Sequence, residues 1–316
     1  MPPTLTPVPN YLGIAARQPG FDSAIPRLGT AGAQHLGQQP EHFAVLRDLS
    51  ADDYTKFTEA VSSLGRFGAA RQVIQIVLRN APEFFETLAS AEKEYVANTS
   101  LDWARVNELV IGLNQRLLNF LSAMRTFLDH AETRIKRKHG NQSQEAMDFA
   151  AATAAEFDGH FAYRFMYKLR NYTQHCGMPL GQIAANSTLP TPQPDEEPKH
   201  QIDFLFDRDV LLKNFDQWGA IVEPELQALP QLFPLSAYLS QTVESLRRID
   251  AVVTKIDKKD LADPLQFLCD LRDEIGPTPG IPCVYSRLEF LEGNPPKANM
   301  QFNRFPLDVM ALLATV

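Results

Sequence analysis

The chain has 316 residues, 44% hydrophobic and 22% charged, with a formal net charge of −8 at pH 7. This is globular composition with length enough for one large or two smaller domains, and its negative balance argues against nonspecific coating of nucleic acid, which needs many Lys and Arg. The opening MPPTLTPVPN has neither a basic nor an apolar leader region, and no stretch of about 18 residues is apolar throughout, so neither secretion nor membrane insertion is expected. Cys176, Cys269 and Cys283 form no CxxC pair, which argues against a disulfide framework or zinc knuckle and fits a cytoplasmic protein.

Residues 1–39 are rich in Pro, Gly, Thr and Gln without sustained period, and predict an irregular N-terminal arm. Helical texture begins near Glu41. Ser50-Ala-Asp-Asp reads as a helix start, and the stretch to about Asn98 predicts two or three helices interrupted around Gly65, Gly68 and Pro82. From Ser100 to Lys138 there is no proline and only one glycine. Leu109, Leu113, Leu117, Phe120, Leu121, Met124, Phe127 and Leu128 fall at steps of three and four, the stripe of one long helix. The basic run Arg134–His139 before Gly140 suits a solvated helix end, with a phosphate-contacting role for its lysines and arginines as the alternative.

A second helical segment runs from Ser143 to about Phe157, pauses at Asp158-Gly159, and resumes from His160 to Cys176 with Phe161, Phe165, Leu169 and Tyr172 on its apolar face. Gly177 and Pro179 stop it. The two long segments joined at Gly140-Asn141-Gln142 predict an antiparallel helical hairpin, the seed of a bundle. Residues 181–202, with four prolines between Thr188 and Pro198, predict a linker. Beyond it, 207–228, 235–258 and 263–274 read as helices. Residues 283–291 and 299–305 read as a short β-hairpin before a last helix from Pro306. The expected fold is therefore mainly α: an arm (1–39), a helical bundle (40–180), a Pro-rich linker (181–202) and a C-terminal helical unit with a β-hairpin (203–316).

Between Leu101 and Cys176 ten Lys or Arg stand against eight Asp or Glu, so this is the most anion-facing part of the chain. It contains Arg170-Asn171-Tyr172-Thr173-Gln174-His175, where an Arg and a His are separated by four residues near a helix end. Cleaving RNA without a metal requires a base for the 2′-hydroxyl proton, a donor for the phosphorane oxygens and an acid for the 5′-oxygen. Histidine can serve both proton roles near neutrality, and arginine offers a permanently charged fork for phosphate. On one helix Arg170 and His175 lie roughly 140° apart, so one chain does not obviously converge them. The same two residues could also merely cap a helix end.

This segment resembles the HEPN superfamily, whose ribonuclease members carry an Arg and a His four to six residues apart with a polar residue after the Arg. The resemblance is confined to the motif and the surrounding helices. It implies a HEPN-like antiparallel bundle with Arg170 as phosphate clamp, His175 as proton-transfer group and Asn171 as positioning partner. It further implies a two-fold dimer that brings two motifs into one cleft, RNA as substrate, no cofactor and no metal, and 2′,3′-cyclic phosphate products. The expected setting is stress response or defence against phage. Where one toxin subclass has a Tyr two positions after the His, this chain has Gly177. The rival expectation is a non-catalytic helical adaptor used for dimerisation or partner binding, with the acidic C-terminal unit as docking surface. Asp129-His130 is a further candidate for a polar contribution to the cleft. Catalysis by Cys176 is disfavoured at a helix C-terminus.

Overall fold

Apolar residues at steps of three and four carry α1 (Ala51–Asn98) through two glycines and a proline. The computed structural model describes residues 22–32, 43–98, 101–179, 181–188, 199–277, 280–291 and 297–315. It divides the chain into two compact units, Ala70–Ile256 and Met1–Ala69 with Asp257–Val316. The described residues are mainly helical with two small antiparallel sheets. No helix among them is long and apolar enough to cross a membrane.

The expected breaks near Gly65, Gly68 and Pro82 do not occur. Within the smaller unit α1 buries Phe57, Ala60, Leu64 and Phe67, and within the larger Ile74, Val77, Ala81, Phe84, Leu88 and Ala91. Burying one large apolar side chain contributes about 1.5–3 kcal/mol, whereas a helical glycine costs about 1 and a proline about 3. Burial therefore overrides local propensity. Gly68 has a packing role as well, since a Cβ there would meet the Val309 side chain at 2.8 Å.

In the larger unit, α2 (Trp103–His139) starts at Asp102, whose carboxylate accepts from the Arg105 amide at 2.7 Å. It ends at Gly140, with Lys136, Arg137, Lys138 and His139 in its last turn. All eight apolar residues expected on its stripe are buried. Ser143 caps α3 (Gln144–Gly159), and α4 (Phe161–His175) follows after one extended residue, His160. Arg164 secures that break by donating to the carbonyls of Phe157 at 2.8 Å and Asp158 at 3.2 Å, while gripping Glu225 with Nε and Nη2. The helices α2, α3 and α4 pack against one another.

The expected linker is a correction. Gln182–Thr188 (β3) and Lys199–Asp207 (β4) pair antiparallel, and β4 also pairs with β5 (Leu232–Pro234). Residues 189–198 lie outside the described residues. Ile202, Phe204 and Phe206 alternate inward along β4, a period of two that a boundary drawn at 203 splits. The expected 207–228 helix is two, α5 (Arg208–Asn214) and α6 (Gly219–Gln227), and α7 (Leu235–Lys258) follows as expected. Residues 203–256 thus belong with the helical bundle rather than to a separate C-terminal unit.

In the smaller unit, β1 (Arg27–Ala31), β2 (Phe43–Asp48), β6 (Ile281–Leu291) and β7 (Lys297–Arg304) form a sheet in the order β2-β1-β6-β7. The hairpin expected near 283–305 is β6 paired with β7. Two expectations fail here: part of the supposed irregular arm is the buried strand β1, and the residues after Glu41 form a strand rather than a helix. Gly29 is required at the bulge between β1 and β2, because a Cβ there would lie 1.9 Å from the Ala44 carbonyl oxygen. The helices α8 (Ala262–Ile275) and α9 (Leu307–Thr315) supply Leu268, Leu271, Val309 and Met310 to this unit's core.

Two stability outcomes follow. Phe165 is wholly buried among five aromatic rings, so Phe165→Ala should cost about 3–5 kcal/mol in urea unfolding, against less than about 0.5 for exposed Ile76→Ala. Glu156 is buried but accepts from Arg248 at 2.7 and 2.8 Å. Burial raises its pKa, while bonds from Arg248 and Ser245 and the Arg248 charge outweigh that and hold it below the usual 4.5. A depressed folded pKa stabilises above the unfolded value and is lost as pH falls below it. Glu156→Gln should therefore lower stability at neutral pH and flatten the loss of stability below pH 4.5.

Candidate functional site

About 100° per residue divides the sequence of α4 into two faces. Phe161, Ala162, Phe165, Met166, Leu169 and Tyr172 fall on one, and all but Phe161 are fully buried. Tyr172 stacks on Trp218 at 6.0 Å between ring centres and meets Phe215 edge-on. The opposite arc, roughly 140° wide, contains Tyr163, Tyr167, Arg170, Asn171, Gln174 and His175. All three motif residues therefore share the polar side of one rigid helix.

Arg170 is half-buried. Its Nη1 reaches Asn171 Oδ1 at 3.4 Å, a long contact, and its buried Nε has no partner. No carboxylate among the described residues forms an ion pair with it. Arg71 pairs with Asp250, Arg105 with Glu94, Arg125 with Asp129, Arg164 with Glu225 and Arg248 with Glu156, whereas half-buried Arg116, like Arg170, forms no ion pair among the described residues: its Nη1 donates to the Gly112 carbonyl at 3.1 Å and its buried Nε has no partner. His175 is exposed in the last helical turn, and no hydrogen bond joins it to Arg170 among the described residues. One chain thus presents the Arg and the His at the two edges of one polar arc, roughly 140° apart, without bringing them together. Cys176 is exposed beyond the helix end, which closes through its own amide to the Tyr172 carbonyl at 2.8 Å.

The same face of α4 leads into a groove of about 380 Å³ between α2, α3 and α4. Leu128, Phe149 and Phe157 give it apolar walls. Arg125, Asp129, Asp158, Tyr163 and Tyr167 supply the polar groups. Arg125 lies over the Tyr167 ring at 5.2 Å, donates to its hydroxyl and pairs with Asp129 at 2.8 Å. Tyr163 is 2% exposed, and burial pushes its phenol well above the usual range. Asp129, singled out in the sequence, lies at this groove. Arg125, Tyr163 and Tyr167 were not singled out, although the four-residue spacing from Tyr163 through Tyr167 and Asn171 to His175 is a legible signal of one face.

Comparison with protein-family models, with curated proteins and with solved structures returns no match for the chain.

Proposed function

We propose that the chain is a metal-independent endoribonuclease of the HEPN-like kind, acting as a homodimer. The observation that carries this reading is Arg170, a half-buried guanidinium without a carboxylate partner among the described residues, on the polar arc of α4 that also carries exposed His175. A phosphate oxygen supplies the missing partner.

In the proposed reaction, neutral imidazole of one His175 takes the 2′-hydroxyl proton as the 2′-oxygen attacks phosphorus. Arg170 holds the non-bridging oxygens, whose charge grows in the transition state. The bond to the 5′-oxygen breaks, and the second copy of His175, protonated, supplies its proton. The products are a 2′,3′-cyclic phosphate and a 5′-hydroxyl, and no electrons are exchanged. Two copies are required because Arg170 and His175 diverge by roughly 140° on one helix. Stress response or phage defence is the setting this chemistry suits, with the acidic remainder of the chain available to a protein partner.

A second reading, a non-catalytic adaptor, draws on Trp103, 88% exposed, with Ile111 two turns on and Val96, both about half exposed. Exposed apolar residues of this size suit a protein contact.

Cleavage assays on host and phage RNA separate the two. His175→Ala should lose at least about 10²-fold in rate and Arg170→Ala nearly as much, with unfolding midpoints unchanged, whereas Asn171→Ala should be milder. EDTA should leave cleavage intact, products should end in cyclic phosphate, and light scattering should give a dimer. A wild type that cuts no RNA hands the protein to the adaptor reading. Activity that survives His175→Ala removes the motif assignment.

A further inference from the structure

The groove and the motif lie on one face of α4, with Tyr167 about one helical turn before Arg170 and Asn171. What the groove would take can be argued from its lining. Three carboxylates, Asp129, Glu132 and Asp158, stand against two cations, Arg125 and Lys136. Both cations are already spent, Arg125 on Asp129 and Lys136 on Glu132 at 2.6 Å. A phosphate would therefore meet a surplus of negative charge, and the anion belongs at Arg170 instead.

The walls are apolar and aromatic, and Phe157 meets Tyr167 edge-on at 6.1 Å between ring centres. Tyr163 lines the groove, and no hydrogen bond ties up its hydroxyl among the described residues. The Tyr167 hydroxyl accepts from Arg125, which leaves its own proton to donate. Asp158 adds a carboxylate acceptor. A flat, uncharged ring with acceptors on one edge and an amino donor on another satisfies all of these at once. About 380 Å³ is within the range of small-molecule sites.

We propose that this groove receives one base of the RNA strand whose scissile phosphate is held by Arg170, and that it selects a base with an exocyclic amino group over uracil. The proposal rests on the ribonuclease reading for its substrate. Aromatic walls bind any base by its π-face, so discrimination comes from the amino group reaching carboxylate, as acidic side chains read the cytosine amino group. Strand direction places the selected base to one side of the cut only, so cleavage sites in a mixed sequence should share that base at a fixed offset.

The test uses the full chain carrying His175→Ala, which prevents cleavage, and fluorescence anisotropy with short oligocytidine and oligouridine of equal length and charge. Oligocytidine should bind about tenfold tighter. Ala150 and Ala154 are exposed and line the groove, so Ala150→Trp fills it without entering the core. That substitution should abolish the preference, and Asp158→Asn should reduce it. If Ala150→Trp shifts the unfolding midpoint, Ala154→Trp serves in its place. Equal binding of the two oligomers, binding of neither, or a preference that survives a folded groove-filling variant overturns the subsite. A cytosine preference that groove filling removes, in a protein whose wild type cuts no RNA, overturns the nuclease reading and leaves the subsite standing.

Discussion

Phe165 lies face to face with Phe161 and Trp218, and edge-on to Phe206, Phe233 and Tyr238. One side of α4 is thereby fixed against residues from β4, β5, the start of α6 and the start of α7. These rings hold the helix by area and by the orientation of each pair, each pair contributing about 0.5–1.5 kcal/mol beyond burial. Because that side is locked, the other side has one orientation. Tyr163, Tyr167, Arg170, Asn171 and His175 then stand in a row that needs no loop to position it. A site on a rigid helix is more precisely placed than one on loops.

The arginines of the larger unit show how this protein treats buried charge. Arg164 satisfies two carbonyls and a carboxylate at the α3–α4 break, and Arg248 closes on Glu156 a short way off. Arg71 stands among the apolar positions of α1 and is matched by Asp250 and the Thr254 hydroxyl. Arg170, with only the distant Asn171 oxygen, and Arg116, with only the Gly112 carbonyl, depart from that pattern. A half-buried charge without a carboxylate partner is a place where the fold has given up stability, and such concessions concentrate at functional sites.

Long elements with one strong period were legible in the sequence. The stripe on α2 and the β6–β7 hairpin are local patterns, and both stand where periodicity put them. Local breakers misled in α1, because Gly65, Gly68 and Pro82 weigh less than the ten apolar residues that the helix buries. Short strands misled in the other direction. In β1 the sequence Arg-Leu-Gly-Thr-Ala looks like loop, and only the approach of Ala44 explains its glycine. The site divides likewise. Arg170, Asn171 and His175 could be found by spacing within one helix. Arg125 is 42 residues from Tyr167 in sequence, so the groove wall they form together depends on how α2 packs against α4, which no local pattern records.

On the proposed reading the polar face of α4 is a single RNA track, base in the groove and phosphate at the motif. Photo-crosslinking with thiolated RNA that carries a 2′-O-methyl block at every ribose tests it most directly, because the strand is held uncut and each adduct can be located by mass spectrometry. The account predicts adducts on α4, at Tyr163 or Tyr167 and at His175, that disappear when unlabelled RNA competes. Adducts confined to residues outside α2, α3 and α4, or none that competition removes, would contradict it.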